Sequence, residues 1–205
     1  MEYLLKQILI GSLLGDGHLT PLNKKGLSQL YLKYDDKTLS YLEWLHKMFI
    51  PIKTNEIKER SKGGYHQHYF TTLPSLELGY YRKLFYPLGK KSVPENISKL
   101  LTHPIALAIW YMDDGTLDFR KKYHRNASFA TFCFSFKECE YLQKMLERNF
   151  SIRVGIHKTT MREKLYFRLY VRSESMDCFL CLIGKYIHPV FKYKVLIAKT
   201  HQQLR

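Results

Sequence analysis

Two apolar runs of helical length stand out along the chain, Leu9-Ile10-Gly11-Ser12-Leu13-Leu14 and Leu107-Ala108-Ile109-Trp110-Tyr111-Met112, and both lead into Asp-Gly. After each run the period changes. Leu30, Leu32 and Tyr34 alternate with Gln29, Tyr31 and Lys33, which predicts a half-buried strand. Leu39, Leu42, Leu45 and Phe49 then recur at helical spacing. Two strands are predicted near 52–58 and 65–72, divided by Gly63-Gly64, and a helix over 75–85. Behind the second run the same order returns: strand 127–135, helix 137–149, strands 152–158 and 165–172, helix 174–186. With opening strands at 19–24 and 117–122, each half reads αββαββα.

Residue matches support the repeat. Tyr41-Leu42-Glu43-Trp44 resembles Tyr141-Leu142-Gln143-Lys144, and Tyr86-Pro87-Leu88-Gly89-Lys90-Lys91 falls opposite His188-Pro189-Val190-Phe191-Lys192-Tyr193-Lys194, at an offset of roughly 100 residues that widens along the chain. The expectation is an α+β molecule of two pseudo-symmetric halves, 1–100 and 101–205, forming one intramolecular pseudo-dimer.

The alternation from Lys164 to Arg172 is the sharpest in the chain. Leu165, Phe167, Leu169 and Val171 form one face, predicted to pack on helices; Lys164, Tyr166, Arg168, Tyr170 and Arg172 form the other, predicted to look outward. Cations interleaved with tyrosines suit phosphates and base edges, although an ordinary solvated strand face has the same pattern. Tyr31 and Lys33 are the outward candidates in the first half, with Lys58 and its repeat counterpart Lys158 beside them.

Charge supports the nucleic-acid reading. Lys+Arg 33 against Asp+Glu 18 leaves +15 and a pI near 9.6, an excess that resists compaction unless an anionic partner balances it. A hydrophobic fraction of 45%, with 16 Tyr and 12 Phe, argues for a folded core over a disordered basic tail. No apolar run approaches the ~20 residues of a membrane span, so no membrane partner is expected. Met1-Glu2-Tyr3 lacks a basic leader region, and Gly11, Asp16 and Gly17 interrupt the apolar stretch, which argues against a cleaved signal peptide. Cys178 and Cys181 sit in an apolar helical run, and Cys133 and Cys139 lie too far apart for a second zinc-type pair. Buried free thiols in an intracellular, reducing compartment are expected; a bacterial cytoplasm and an organelle matrix fit equally.

One Asp-Gly after a helix usually marks a stop with glycine in the left-handed conformation. Two at matching places in a repeat point further. If the halves meet about a two-fold axis, Gly11 and Gly15 let the helices approach, and Asp16 and Asp114 meet at the negative ends of two helix dipoles. Adjacent carboxylates repel, and a divalent cation with oxygen ligands, Mg²⁺ above all, resolves the conflict. On a basic sheet such a site suits phosphodiester hydrolysis.

Both runs resemble the LAGLIDADG motif, and from about residue 4 to 196 the chain resembles a single-chain, two-motif LAGLIDADG homing endonuclease, closest to the omega-intron branch. The strings His103-Pro104-Ile105-Ala106-Leu107-Ala108-Ile109-Trp110-Tyr111-Met112-Asp113-Asp114-Gly115 and Lys90-Lys91-Ser92-Val93-Pro94-Glu95-Asn96 carry that likeness. The resemblance implies two motif helices at the interface and a four-stranded antiparallel sheet per half in the DNA major groove. It implies a monomer with no protein partner, cutting double-stranded DNA at a non-palindromic site with Mg²⁺, for which Mn²⁺ substitutes. Asp16 and Asp114 would bind metal and cut, with Gly15 and Asp113 in the preceding position. Lys91 and Lys194 would stand near the centre to polarise water or balance phosphate charge, or else contact the DNA backbone alone. Gln29 matches a glutamine of many family members, and its second-half counterpart is expected near Thr131-Phe132. Ile109 replaces the motif's third-position glycine and Trp110 follows it, making the helix interface asymmetric.

Three rivals remain. Asp35 or Asp36 with Glu56-Ile57-Lys58 mimics the D…ExK pattern of restriction enzymes, but the repeat keeps the lysine and loses the acid. His66-Gln67-His68 suggests a metal-binding pair in a strand without acidic company. Some LAGLIDADG proteins are maturases that bind intron RNA and assist splicing.

Overall fold

The computed structural model describes residues 1–120, 124–161 and 163–195. At its centre α1 (Tyr3–Leu14) packs along α5 (Pro104–Asp114). Both are apolar around most of their circumference, so both bury nearly every side: Ile8, Leu9, Ile10 and Leu13 in one, Leu107 through Met112 in the other. Pro104 at the first turn and the His103 ring, which accepts from the Ile105 N–H at 3.2 Å, start α5.

Among the described residues the strands form two four-stranded antiparallel sheets. β1 (His18–Leu19), β2 (Leu30–Asp35), β3 (Lys58–Lys62) and β4 (Tyr65–Thr71) lie in the order β1-β2-β4-β3. β5 (Gly115–Arg120), β6 (His124–Phe129), β7 (Val154–Met161) and β8 (Lys164–Val171) repeat it as β5-β6-β8-β7. α2 (Leu39–Phe49) and α3 (Leu76–Phe85) belong to the first half, and α6 (Phe136–Phe150) and α7 (Met176–Gly184) to the second; α4 (Ile97–Leu100) lies between. The order is αββαββα twice, as the pattern predicts. One face of each sheet is core: Leu30, Leu32 and Phe70 in the first, Phe129, Leu169 and Val171 in the second, where Trp110 stacks on Phe129 at 4.1 Å.

Several boundaries move for local reasons. The strand predicted at 52–58 begins only at Lys58, because Pro51 opens a 3-10 turn over Ile50–Ile52 and Lys53 follows with φ 61°. β1 stops at Leu19, where Pro21 precedes a turn closed by Asn23, whose side chain accepts from the Lys25 and Leu27 N–H groups. β6 ends at Phe129 rather than 135; Ser135 and Glu138 instead form a capping box that starts α6. Part of the strand predicted at 117–122 lies outside the described residues. The cysteines are free, but Cys139 alone is buried. Met176, Phe179 and Ile183 take the core side of α7, leaving Cys178 and Cys181 exposed, and Cys133 is exposed as well.

The segment after each last helix crosses to the other half. Beyond α3, the Val93 N–H donates to Glu138 of α6 at 2.8 Å, and Asn149 of α6 donates to the Ser98 and Leu101 carbonyls at 2.8 and 2.7 Å. Beyond α7, Phe191 packs edge-on against Tyr41 of α2 at 4.9 Å, and His188 lies beside Tyr41 and Trp44. Gln7, buried in α1, pins the connection: it donates to the Leu100 carbonyl at 2.8 Å and accepts from the Thr102 and His103 N–H groups.

Candidate active site and nucleic-acid interface

The C-terminal ends of α1 and α5 meet, and small residues make this possible. A Cβ on Gly11 would strike the Ala106 backbone, and one on Gly15 would occupy the place of the Asp113 carboxylate. Neither Gly17 nor Gly115 takes the left-handed conformation usual after a helix. They are required by crowding instead: a Cβ on Gly17 would press on the Ser12 carbonyl, and one on Gly115 on Tyr111.

Asp16 follows α1 and Asp114 closes α5. Solvent reaches Asp16 at the mouth of the site, whereas Asp114 is half-buried beside a cavity of about 370 Å³ lined also by Thr116, Ala130 and Lys194. Burial raises both carboxyls, and for Asp114 the proximity of Asp16 adds to it, pushing it to about 7. Lys91 and Lys194 oppose the rise at both acids, and Lys33 also at Asp16. Burial in turn lowers both lysines. The Lys91 Nζ donates to the Gly15 carbonyl at 2.5 Å, and the Lys194 Nζ to the Met112 carbonyl at 2.5 Å. Each lysine therefore caps the end of its own half's motif helix, where carbonyls lack helical partners.

Asp113 lies deepest of the three acids. Its two oxygens accept from the Asp16 N–H at 3.1 Å and from the Tyr34 hydroxyl at 2.9 Å. Burial, reinforced by Asp16, raises this carboxyl far above the ordinary range, and Tyr34 and Tyr41, buried beside it, are held well above the usual phenol range. Through Asp113 the second half thus holds the backbone of Asp16 in the first. The sequence places Tyr34 in the core row of the strand but gives no partner for its hydroxyl. Its signal was a hydroxyl ending the apolar row Leu30-Leu32-Tyr34, aimed at the helix ends. Cys133, electrostatically coupled to Lys91 and Asp114, carried no comparable signal.

Register sorts the outward faces. Lys33 and Lys58 flank Tyr69 across the sheet, and Tyr31 lies 5.4 Å from the Tyr69 ring, so the first-half candidates share the face opposite the core. In the second half Arg168 pairs with His157 and Tyr170 with Gly155. Lys158 pairs with Phe167, which turns it to the helix side; His157 takes the place of Lys58, and the expected equivalence slips by one residue and changes face. Tyr166 lies against Phe132, over which the Arg168 guanidinium sits at 4.9 Å with its buried Nε lacking a hydrogen-bond partner. Lys164 and Arg172 are exposed. Leu165 is 53% exposed, because the β7–β8 hairpin overruns the helices meant to cover it. Gln29 donates to the Thr72 carbonyl at 3.2 Å. Its counterpart is Asn126, since Ala127 pairs with Leu117 as Leu30 pairs with Leu19; Thr131-Phe132 lies beyond the strand. A polar partner therefore exists, and the Asn126 Oδ1 is buried without a hydrogen bond.

Residues 6–179 match the model of the LAGLIDADG DNA endonuclease family. The cytochrome b mRNA maturase bI2 of Saccharomyces cerevisiae is 30% identical over 202 residues, 92% of this chain, which spans only 46% of that relative's length. The DNA endonuclease I-ChuI of Chlamydomonas applanata is 27% identical over 208 residues, covering 93% of both chains. The structure of the homing endonuclease I-WcaI bound to its DNA recognition sequence superposes with a TM-score of 0.78 at 25% identity, covering 96% of this chain and 87% of that one. No helix among the described residues is long and apolar enough to cross a membrane.

Proposed function

The chain belongs to the LAGLIDADG DNA endonuclease family, and from that membership we propose that it is a site-specific endonuclease hydrolysing one phosphodiester in each strand of a long, non-palindromic duplex. The observation that carries this reading is the pairing of Asp16 and Asp114, one from each half, at the packed ends of α1 and α5 beside the buried Lys194 and the half-buried Lys91. Acids this close, raised by burial and mutual repulsion, fit a divalent cation. Asp16 and Asp114 would hold it, Gly15 and Asp113 lying just behind; Mg²⁺ is the natural occupant and Mn²⁺ a substitute. Bound there, the cation supplies water activation and stabilisation of the leaving oxygen. Asp113 fixes the Asp16 backbone, and Lys91 and Lys194, held at the two helix ends, stand where they can balance charge on the scissile phosphates.

The outward faces bind duplex DNA, with Gln29, Tyr31, Lys33 and Lys58 reading one half-site and Lys164, Tyr166, Arg168, Tyr170 and Arg172 the other. The halves, 1–100 and 101–205, differ in these side chains, which suits a site without two-fold symmetry. Both acids come from one chain, so a monomer is complete. Kinship with the omega-intron branch rests on the strings around Lys91 and Asp114.

A second reading is favoured by the likeness to a maturase over 92% of this chain. In that reading intron RNA is the partner. Selection of cleaved sites from a randomised duplex library with Mg²⁺ separates the two: recovery of one long site, lost in Asp16→Asn, supports the nuclease. Failure to cut any duplex, together with tight binding of structured intron RNA, supports the maturase.

A further inference from the structure

His66 and His68 gain in the fold the acidic company that the sequence does not place beside them. As alternate residues of β4 they point to one side, the side of Phe70 and the core. Glu59 of β3 is the cross-strand partner of His68, and Asp36 opens the 3-10 turn that leads from β2 into α2. The His66 Nδ1 lies 2.6 Å and the His68 Nε2 2.8 Å from the same Asp36 oxygen. The remaining ring nitrogens stand 3.6 and 3.8 Å from the Glu59 carboxylate. The rings meet edge to face at 4.8 Å, and the ligating atoms of Asp36, His66 and His68 all fall within 4.8 Å of one another.

Two imidazoles and a carboxylate converge here with one donor atom each, a set that a single cation can engage together. Mixed nitrogen and oxygen donors select Zn²⁺ or a related transition metal; Mg²⁺ favours oxygen ligands alone. We propose that Asp36, His66 and His68 form a transition-metal site of the Zn²⁺ class, separate from the Asp16–Asp114 centre, with Glu59 holding the outer ring nitrogens and water completing the coordination. The repeat supplies a control. By strand register the second half places Leu165, Phe167 and Lys158 where the first has His66, His68 and Glu59. Among the described residues the second half has no such set of donors at these positions, so the repeat itself does not require one. The metal clamps the β3–β4 hairpin to the β2–α2 junction, and the opposite face of that hairpin carries Lys58, Arg60 and Tyr69.

The test uses untagged, chelator-stripped full chain with Co²⁺ as the spectroscopic probe and Zn²⁺ as its competitor. The expected result is one Co²⁺ with a nitrogen–oxygen ligand field, displaced by Zn²⁺ and not by Mg²⁺, and a higher melting temperature with Zn²⁺. His66 and Asp36 are surface groups, so His66→Gln and Asp36→Asn should fold normally. Each should weaken Zn²⁺ binding by more than the ~10–100-fold typical of losing an outer-shell partner, while Asp16→Asn leaves it unchanged. The proposal is overturned by absent binding, by unchanged affinity in both variants, or by a thiolate charge-transfer band that assigns the metal to the exposed cysteines.

Discussion

The two halves hold their acids differently. In the first, Gly15 precedes Asp16, and the space where its side chain would stand receives the Asp113 carboxylate from the other half, which accepts the Asp16 N–H. In the second, Asp113 itself precedes Asp114, and Lys194 reaches back to Met112, one step further from its acid than Lys91 on Gly15 is from Asp16. A glycine on one side and a carboxylate on the other form a lock that two identical halves could not make without placing two buried acids face to face. The pseudo-symmetry is a frame, and the positioning of Asp16 depends on where it breaks.

The largest effect expected from breaking this arrangement is chemical. Asp16→Asn and Asp114→Asn should each lower double-strand cleavage by at least about a thousandfold, the order seen for groups acting in the transition state, with duplex affinity little changed; product analysis on supercoiled plasmid bearing the selected site measures this. If one variant still linearises the plasmid, the halves do not share the work. Next, Lys91→Met and Lys194→Met should each slow cleavage about 10–100-fold as outer-sphere groups, with Lys194→Met also lowering the melting temperature because Lys194 is the more enclosed. Equal stability of the two variants would remove that distinction. Gly15→Ala should then cost about 1–3 kcal/mol by overpacking, and adding Asp113→Ala should recover part of it; strict additivity in a denaturation cycle would mean the lock does not couple them.

The smallest effect concerns pH. The Asp114 carboxyl is raised to about 7 in the folded chain, against an ordinary value near 3.8. The folded state therefore binds protons more tightly, and this group's contribution to stability declines as pH rises between those values, levelling off above 7. Asp16 and Asp113 act in the same direction. Melting curves without metal should shift down over that window, and Mg²⁺ should restore more stability at pH 8 than at pH 5. A restoration independent of pH would separate cation binding from these acids.

The repeat, the motif helices and the core alternation of β2 were legible in the sequence because each is a local period backed by a second copy. Pairing across strands was not. The equivalence of Lys58 and Lys158 follows from counting along the chain, yet register puts the two on opposite faces of their sheets, since a one-residue slip reverses every side chain. The partners of Tyr34, Gln7 and Asp36 escaped for a related reason: they lie far off in sequence, and no local period points to them. At the ends of β1, β3 and β6, turn and cap chemistry overrode strand pattern, at Asn23, Pro51 and Ser135.

The crossed segments after α3 and α7 bear on the order in which the molecule can form. Tyr41 is wholly buried, and part of its cover is Phe191, which leaves the ribosome long after α2. During synthesis the first half must wait with α2 uncovered and α1 lacking α5, a non-local closure of the kind that slows folding and exposes intermediates to aggregation. Unfolding should accordingly be a single transition rather than two, because neither half has a finished core of its own.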